Sequence, residues 1–112
     1  MVSEEKAAEF VSKYGRVKVV SYNGTDLVFR KPTRAECDQH AVKIDEGGMQ
    51  KVQADNQLAQ LLVVKCGEAE EQPAREAFRL LLEEYPYLCR SAAVGGALSR
   101  LTGVVQDEEA KS

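Results

Sequence analysis

The sequence predicts an α+β fold: an N-terminal helix and a β-hairpin, followed by a bundle of about four short helices. Three observations carry this. Two β-rich runs, residues 16–22 and 25–31, flank Asn23-Gly24, the dipeptide that best tolerates the positive φ angles of a tight type I′ turn. Pro32 then ends the second run, because it has no N–H to give to a ladder, and Thr33-x-x-Glu36 is a capping box that opens a helix. Downstream, apolar residues recur at helical rather than strand spacing, punctuated by Gly47-Gly48, Gly67, Pro73 and Pro86.

Taken in order, the first helix starts after Ser3, with Glu4 and Glu5 in its first turn, where they favour the positive end of the helix dipole. Ala7, Phe10, Val11 and Tyr14 form its apolar stripe, and Gly15 stops it. A two-residue turn pairs Tyr22 with Thr25, Val20 with Leu27 and Lys18 with Phe29. One hairpin face then collects Val20, Tyr22, Leu27 and Phe29, and the other collects Val17, Val19 and Val28. Both faces are partly apolar, so the hairpin is expected to be covered on two sides or to meet a partner. The second helix, about 33–46, places Cys37, His40, Ala41 and Ile44 on one stripe. A third, about 49–66, is polar in its first half and apolar nearly all round over residues 58–64, which predicts a central core helix ending at Gly67. Residues 68–72 read as an acidic loop. The fourth helix opens at Pro73, carries Phe78, Leu81, Leu82 and Tyr85 at helical spacing, and closes at Pro86. The fifth, about 87–101, has Val94, Ala97, Leu98 and Leu101 on one face and a strip of small residues, Ala92, Gly95, Gly96 and Ser99, on another. Two adjacent glycines cost a helix up to about 2 kcal/mol relative to alanine, which calls for a close backbone approach or a bend. Residues 1–104 are expected to form one α+β domain and 105–112 a flexible acidic tail.

Composition bounds the function. With 112 residues, 44% hydrophobic and 29% charged, the chain has the make-up of a soluble globular protein with one modest core. A net charge of −3 argues against nucleic acid as the main partner, since phosphate binding needs a concentrated basic face; the local cluster Arg30, Lys31, Arg34 reads as a solvated strand end. No apolar run approaches the ~20 residues needed to cross a bilayer, and the N-terminus lacks an apolar signal region. Cys37, Cys66 and Cys89 are odd in number and widely spaced, as expected of buried thiols in a reducing compartment, which predicts a cytoplasmic protein.

Chemistry is sparse. His40 is the only histidine, and there is neither a Cys-x-x-Cys nor a His-x-x-x-His, so no metal site is expected. Cys37 and His40 share a helix face as a nucleophile and base would, but both also fit the buried stripe of an amphipathic helix, and that reading is favoured. The paired glycines match neither a Walker loop nor a dinucleotide fingerprint. No enzymatic activity and no cofactor are expected. Apolar surface remains: Met49, Val52, Tyr85, Tyr87 and Leu88 are candidates for exposure, and such residues are enriched at protein interfaces.

Two segments carry a resemblance. The hairpin ends in Val28-Phe-Arg-Lys-Pro-Thr-Arg-Ala-Glu36, and the C-terminal half contains Phe78-Arg-Leu-Leu-Leu-Glu-Glu-Tyr-Pro-Tyr-Leu88, then Ala93-Val-Gly-Gly-Ala-Leu-Ser-Arg-Leu-Thr-Gly103. In these the chain resembles the tail assembly chaperones of long-tailed bacteriophages and their prophage relatives. The resemblance implies a non-enzymatic protein of the bacterial host cytoplasm that coats the tape-measure protein, keeps it soluble and helps recruit the tail tube subunit. It also implies a longer form made by ribosomal slippage, and is compatible with a homo-oligomer. On this reading the stripe Phe78, Leu81, Leu82, Tyr85, together with Leu88, is the expected partner-binding surface. The rival readings are a small structural phage connector or tail-completion protein, an enzyme using Cys37 and His40, and a small nucleic-acid-binding regulator using Arg30, Lys31 and Arg34.

Overall fold

The structure, a computed structural model, describes residues 2–103; the tail expected at 105–112 lies outside the described residues. Its elements run α1 (Glu4–Tyr14), β1 (Val17–Tyr22), β2 (Thr25–Arg30), α2 (Arg34–Asp45), α3 (Lys51–Leu62), β3 (Val63–Cys66), β4 (Ala69–Glu70), α4 (Gln72–Glu84), a 3₁₀ turn at Leu88–Arg90, and α5 (Ala92–Thr102). The fold is α+β, with an N-terminal helix, a hairpin and then helices.

Local chemistry sets the first third of the chain. The Ser3 hydroxyl accepts from the Lys6 N–H and caps α1, and Gly15, at φ 78°, ends it. The hairpin pairs Tyr22 with Thr25, Val20 with Leu27 and Lys18 with Phe29, around Asn23 and Gly24 at φ 49° and 80°. Thr33 and Glu36 close a reciprocal capping box at the start of α2.

The third helix departs from its predicted course. It ends at Leu62, and residues 63–66 form a strand that pairs antiparallel with β2, so the hairpin is half of a four-stranded sheet ordered β1-β2-β3-β4. An all-round apolar run suits a strand buried on both faces as well as it suits a core helix, and the open edge of β2 decides between them. A bulge lies between Val28 and Phe29: Val28 pairs with Lys65 and Phe29 with Val63. Val64, left over, joins Phe10 and Val28 in the smaller core under α1, while Val63 and Cys66 join the main core. Gly67 (φ 59°) turns the chain after β3, and the acidic loop expected at 68–72 holds the short β4 and the start of α4.

The sheet is therefore covered on both sides. On one face α1 packs Phe10 onto Val28 and Val64, tied by Lys6 to Glu70 at 2.8 Å and by Lys13 to Glu71. On the other, α3, α4, the 3₁₀ turn and α5 bury Leu27, Phe29, Leu62, Phe78, Leu88 and Val94. The second helix is the second departure: none of its residues is buried, and Ala41 of the expected stripe faces solvent.

The fifth helix begins at Ala92, after the 3₁₀ turn, with Ser91 as its N-cap. The two glycines have different reasons. A Cβ on Gly95 would stand 2.7 Å from the Cys89 carbonyl oxygen, so α5 sits against the backbone of the turn that precedes it. A Cβ on Gly96 would meet only the end of the Arg100 side chain, at 3.2 Å. Gly95→Ala is therefore expected to destabilise by about 1–3 kcal/mol through overpacking. Gly96→Ala should be neutral or stabilising by up to about 1 kcal/mol from helix propensity. Urea unfolding of the two variants checks the contrast.

Candidate functional site

The surface stripe expected from the sequence is mostly core. Phe78 and Leu88 are 0% and 1% exposed. The Phe78 ring meets Phe29 edge-on at 5.7 Å, and the half-buried Tyr85 meets Tyr22 edge-on at 5.4 Å. Leu81 and Leu82 are half-buried against the same core. An amphipathic helix on a sheet spends its apolar stripe on the sheet, so its regular spacing marks the inward face. The outward apolar residues near this stripe are Leu80 and Tyr87, at 52% and 65% exposure. Of the other residues expected at the surface, Met49 and Val52 are half-buried.

A wide concavity lies elsewhere. An open groove of about 840 Å³ runs between the N-terminal half of α3 and the length of α5. Val52, Leu58 and Leu98 give it apolar walls, and Ala92, Gly95, Gly96 and Ser99 line it from α5. The strip of small residues legible in the sequence thus faces open space over part of its width. Lys51, Arg90 and His40 bring polar and basic groups to the rim.

Three titratable groups of the groove, His40, Lys51 and Asp55, are engaged with one another. Asp55 accepts from Lys51 Nζ at 2.7 Å through one carboxylate oxygen and meets His40 Nε2 at 2.8 Å through the other. This pair joins α2 to α3 and engages the ring that a Cys37 nucleophile would need. Cys89 also lines the groove, but burial, helped by the Asp55 charge, pushes its thiol up to about 12. It is protonated at neutral pH and is no nucleophile. Burial raises the Cys66 thiol as well. Among the described residues, no cluster of three or more His, Cys, Asp or Glu could hold a metal ion, and no helix is long and apolar enough to cross a membrane.

The basic cluster at the hairpin end is also engaged. Arg30 donates two 2.8 Å hydrogen bonds to the Glu36 carboxylate and a third, at 3.2 Å, to the Leu61 carbonyl. Lys31 and Arg34 are exposed, and Arg34 stands 3.9 Å from Asp38. Arg30 is thus a clamp between β2, α2 and α3. The sequence signal for this role was the carboxylate of the capping box, which lies within reach of the last residue of the strand.

No protein-family profile, curated protein or solved structure matches the chain.

Proposed function

We propose that this chain is a non-enzymatic tail assembly chaperone of a bacteriophage or prophage. It acts in the host cytoplasm, holds helical segments of the tape-measure protein transiently and assists assembly of the tail tube. The observation that carries this reading is the α3–α5 groove. It is open, walled by Val52, Leu58 and Leu98, and floored in part by residues too small to fill it. A helix about 10 Å across can approach such a floor closely. Its rim offers hydrogen-bonding and charged groups, while its one thiol is inert. That suits reversible capture of an amphipathic helix better than a reaction. The resemblance of the hairpin end and the C-terminal half supplies the identity of the helix.

The test is a titration of the purified chain with amphipathic segments of the tape-measure protein encoded beside it. Ser99→Trp, which fills the groove without replacing a core residue, is expected to weaken binding tenfold or more, about 1.4 kcal/mol, at unchanged stability. Leu80→Ala, at an exposed position outside the groove lining, should bind as the parent does. No binding, or equal binding by Ser99→Trp, overturns the reading. A stable ring of chains in sedimentation, without tape-measure binding, would favour a connector or tail-completion protein.

A further inference from the structure

The second helix is attached unlike the other helices among the described residues. It buries none of its residues. Its main neighbour is α3, and polar contacts join the two: His40 to Asp55 at 2.8 Å and Lys43 to Gln57 at 3.0 Å. Arg30 of β2 adds its paired bonds to Glu36. Beneath α2 a small gap separates Glu36, His40 and Lys43 from Ala54, Leu58 and Leu61 of α3. His40 and Leu58 line both this gap and the large groove, so the imidazole stands as a bar between them. The helix is flanked by Pro32 and by Gly47-Gly48, with Gly48 at φ 67°.

From this arrangement we propose that α2 is a displaceable cover over the Ala54–Leu58–Leu61 face of α3, replaced during binding by a partner helix that repeats its polar code. Glu36, His40 and Lys43 stand at i, i+4 and i+7. A helix with a carboxylate at i and basic residues at i+4 and i+7 meets the same three acceptors and donors: Arg30, Asp55 and Gln57. Displacement exchanges one set of polar contacts for an equivalent set and merges the gap with the groove. It uncovers Ala54 and Leu58 of α3 for the partner and removes no residue from the core, because α2 contributes none to it. The occupant, an amphipathic segment of the tape-measure protein, rests on the function proposed above; the detachment of α2 does not.

Hydrogen exchange of the full chain tests the detachment. An isolated helix of 12 residues is marginal in water, so a detached α2 unravels and its amides exchange. Exchange in α2 is expected to proceed by local opening, faster than in β2 and α4. Glu36→Gln or His40→Ala should accelerate it roughly tenfold or more, with α2 still exchanging ahead of β2 and at the smaller denaturant dependence. Exchange of α2 only together with β2, at the same denaturant dependence, overturns the proposal.

A tether tests the use of the opening. Lys43→Cys and Gln57→Cys, joined by a short bis-maleimide in a Cys37→Ser background, lock α2 in place. The buried Cys66 and Cys89 thiols do not compete. The locked chain should lose tape-measure binding at least tenfold relative to the unjoined variant, about 1.4 kcal/mol. Equal binding by locked and unlocked chains overturns the gate and leaves the proposed function standing. Absence of binding by both overturns the proposed function, and exchange then decides the detachment alone.

Discussion

Phe78→Ala is expected to destabilise the protein by about 3–5 kcal/mol, the cost of a large cavity in a core that cannot collapse around it. The ring is 0% exposed and packs edge-on against Phe29, itself 0% exposed and in the second strand of the sheet. The loss therefore falls on the contact that joins α4 to β2. This variant also separates two roles that the sequence leaves superimposed. If the stripe were an interaction surface, truncation would weaken a complex and spare the fold. Here chemical denaturation is expected to show the full loss in the isolated chain. Leu80→Ala and Tyr87→Ser, one on α4 and one just beyond it, should stay within about 0.5 kcal/mol of the parent. A stable Phe78→Ala protein would mean that α4 does not pack as described.

The second large effect is electrostatic and depends on pH. Hydrogen bonds from Arg30, with the Thr33 backbone N–H adding to them, hold the Glu36 carboxyl down at about 2 against an ordinary 4.5. Both side chains are mostly covered, at 17% and 19% exposure, so solvent screens the pair little. A carboxyl depressed in the folded state stabilises fully above its unfolded pKa, near 4.5, and that contribution is lost as pH falls through about 2. Its size is about 2–3 kcal/mol at neutral pH. Glu36→Gln should therefore lose about that much at pH 7 and leave Arg30 without its carboxylate. The gap between variant and parent should narrow steadily below pH 4.5, as measured by urea unfolding at a series of pH values. Other carboxyls are depressed as well, Glu70 by its bond to Lys6 among them, and the difference between the two proteins removes their share. A gap of constant size from pH 7 to pH 2 would mean that the pair does not form.

The two effects sit on opposite sides of the same strand. Phe29 faces the helices, and Arg30, its neighbour, reaches over the end of the sheet to α2 and α3. The core half of the molecule is held by buried rings and aliphatic side chains. The α2 side is held by polar pairs and half-buried side chains, Cys37 and Ile44 among them, with none fully buried. This difference in kind is what allows α2 to be both specifically placed and separable.

Much of the fold was legible in the residues themselves. The Ser3 and Thr33 caps, the Asn23-Gly24 turn, the hairpin register and its two apolar faces depend on contacts between near neighbours, and each has a short-range chemical cause. The strand at Val63–Cys66 was not legible, because a short apolar run with no clear period suits a buried helix and a buried strand equally. Only the unpaired edge of β2 chooses between them. The stripe Phe78, Leu81, Leu82, Tyr85 was read with the right spacing, but spacing alone does not say whether a face meets its own sheet or another molecule. Nor could spacing show that the Cys37–His40 face of α2 would be only half-buried, since that depends on α3 offering Asp55 and Gln57 to it. Local starts, stops and turns follow from the residues alone, because they are set within a few positions by caps, glycines and prolines. The four-stranded sheet, the groove along α5 and the attachment of α2 arise only in the folded chain. Each of these depends on groups far apart in the chain whose meeting is set by which apolar faces the sheet has already covered.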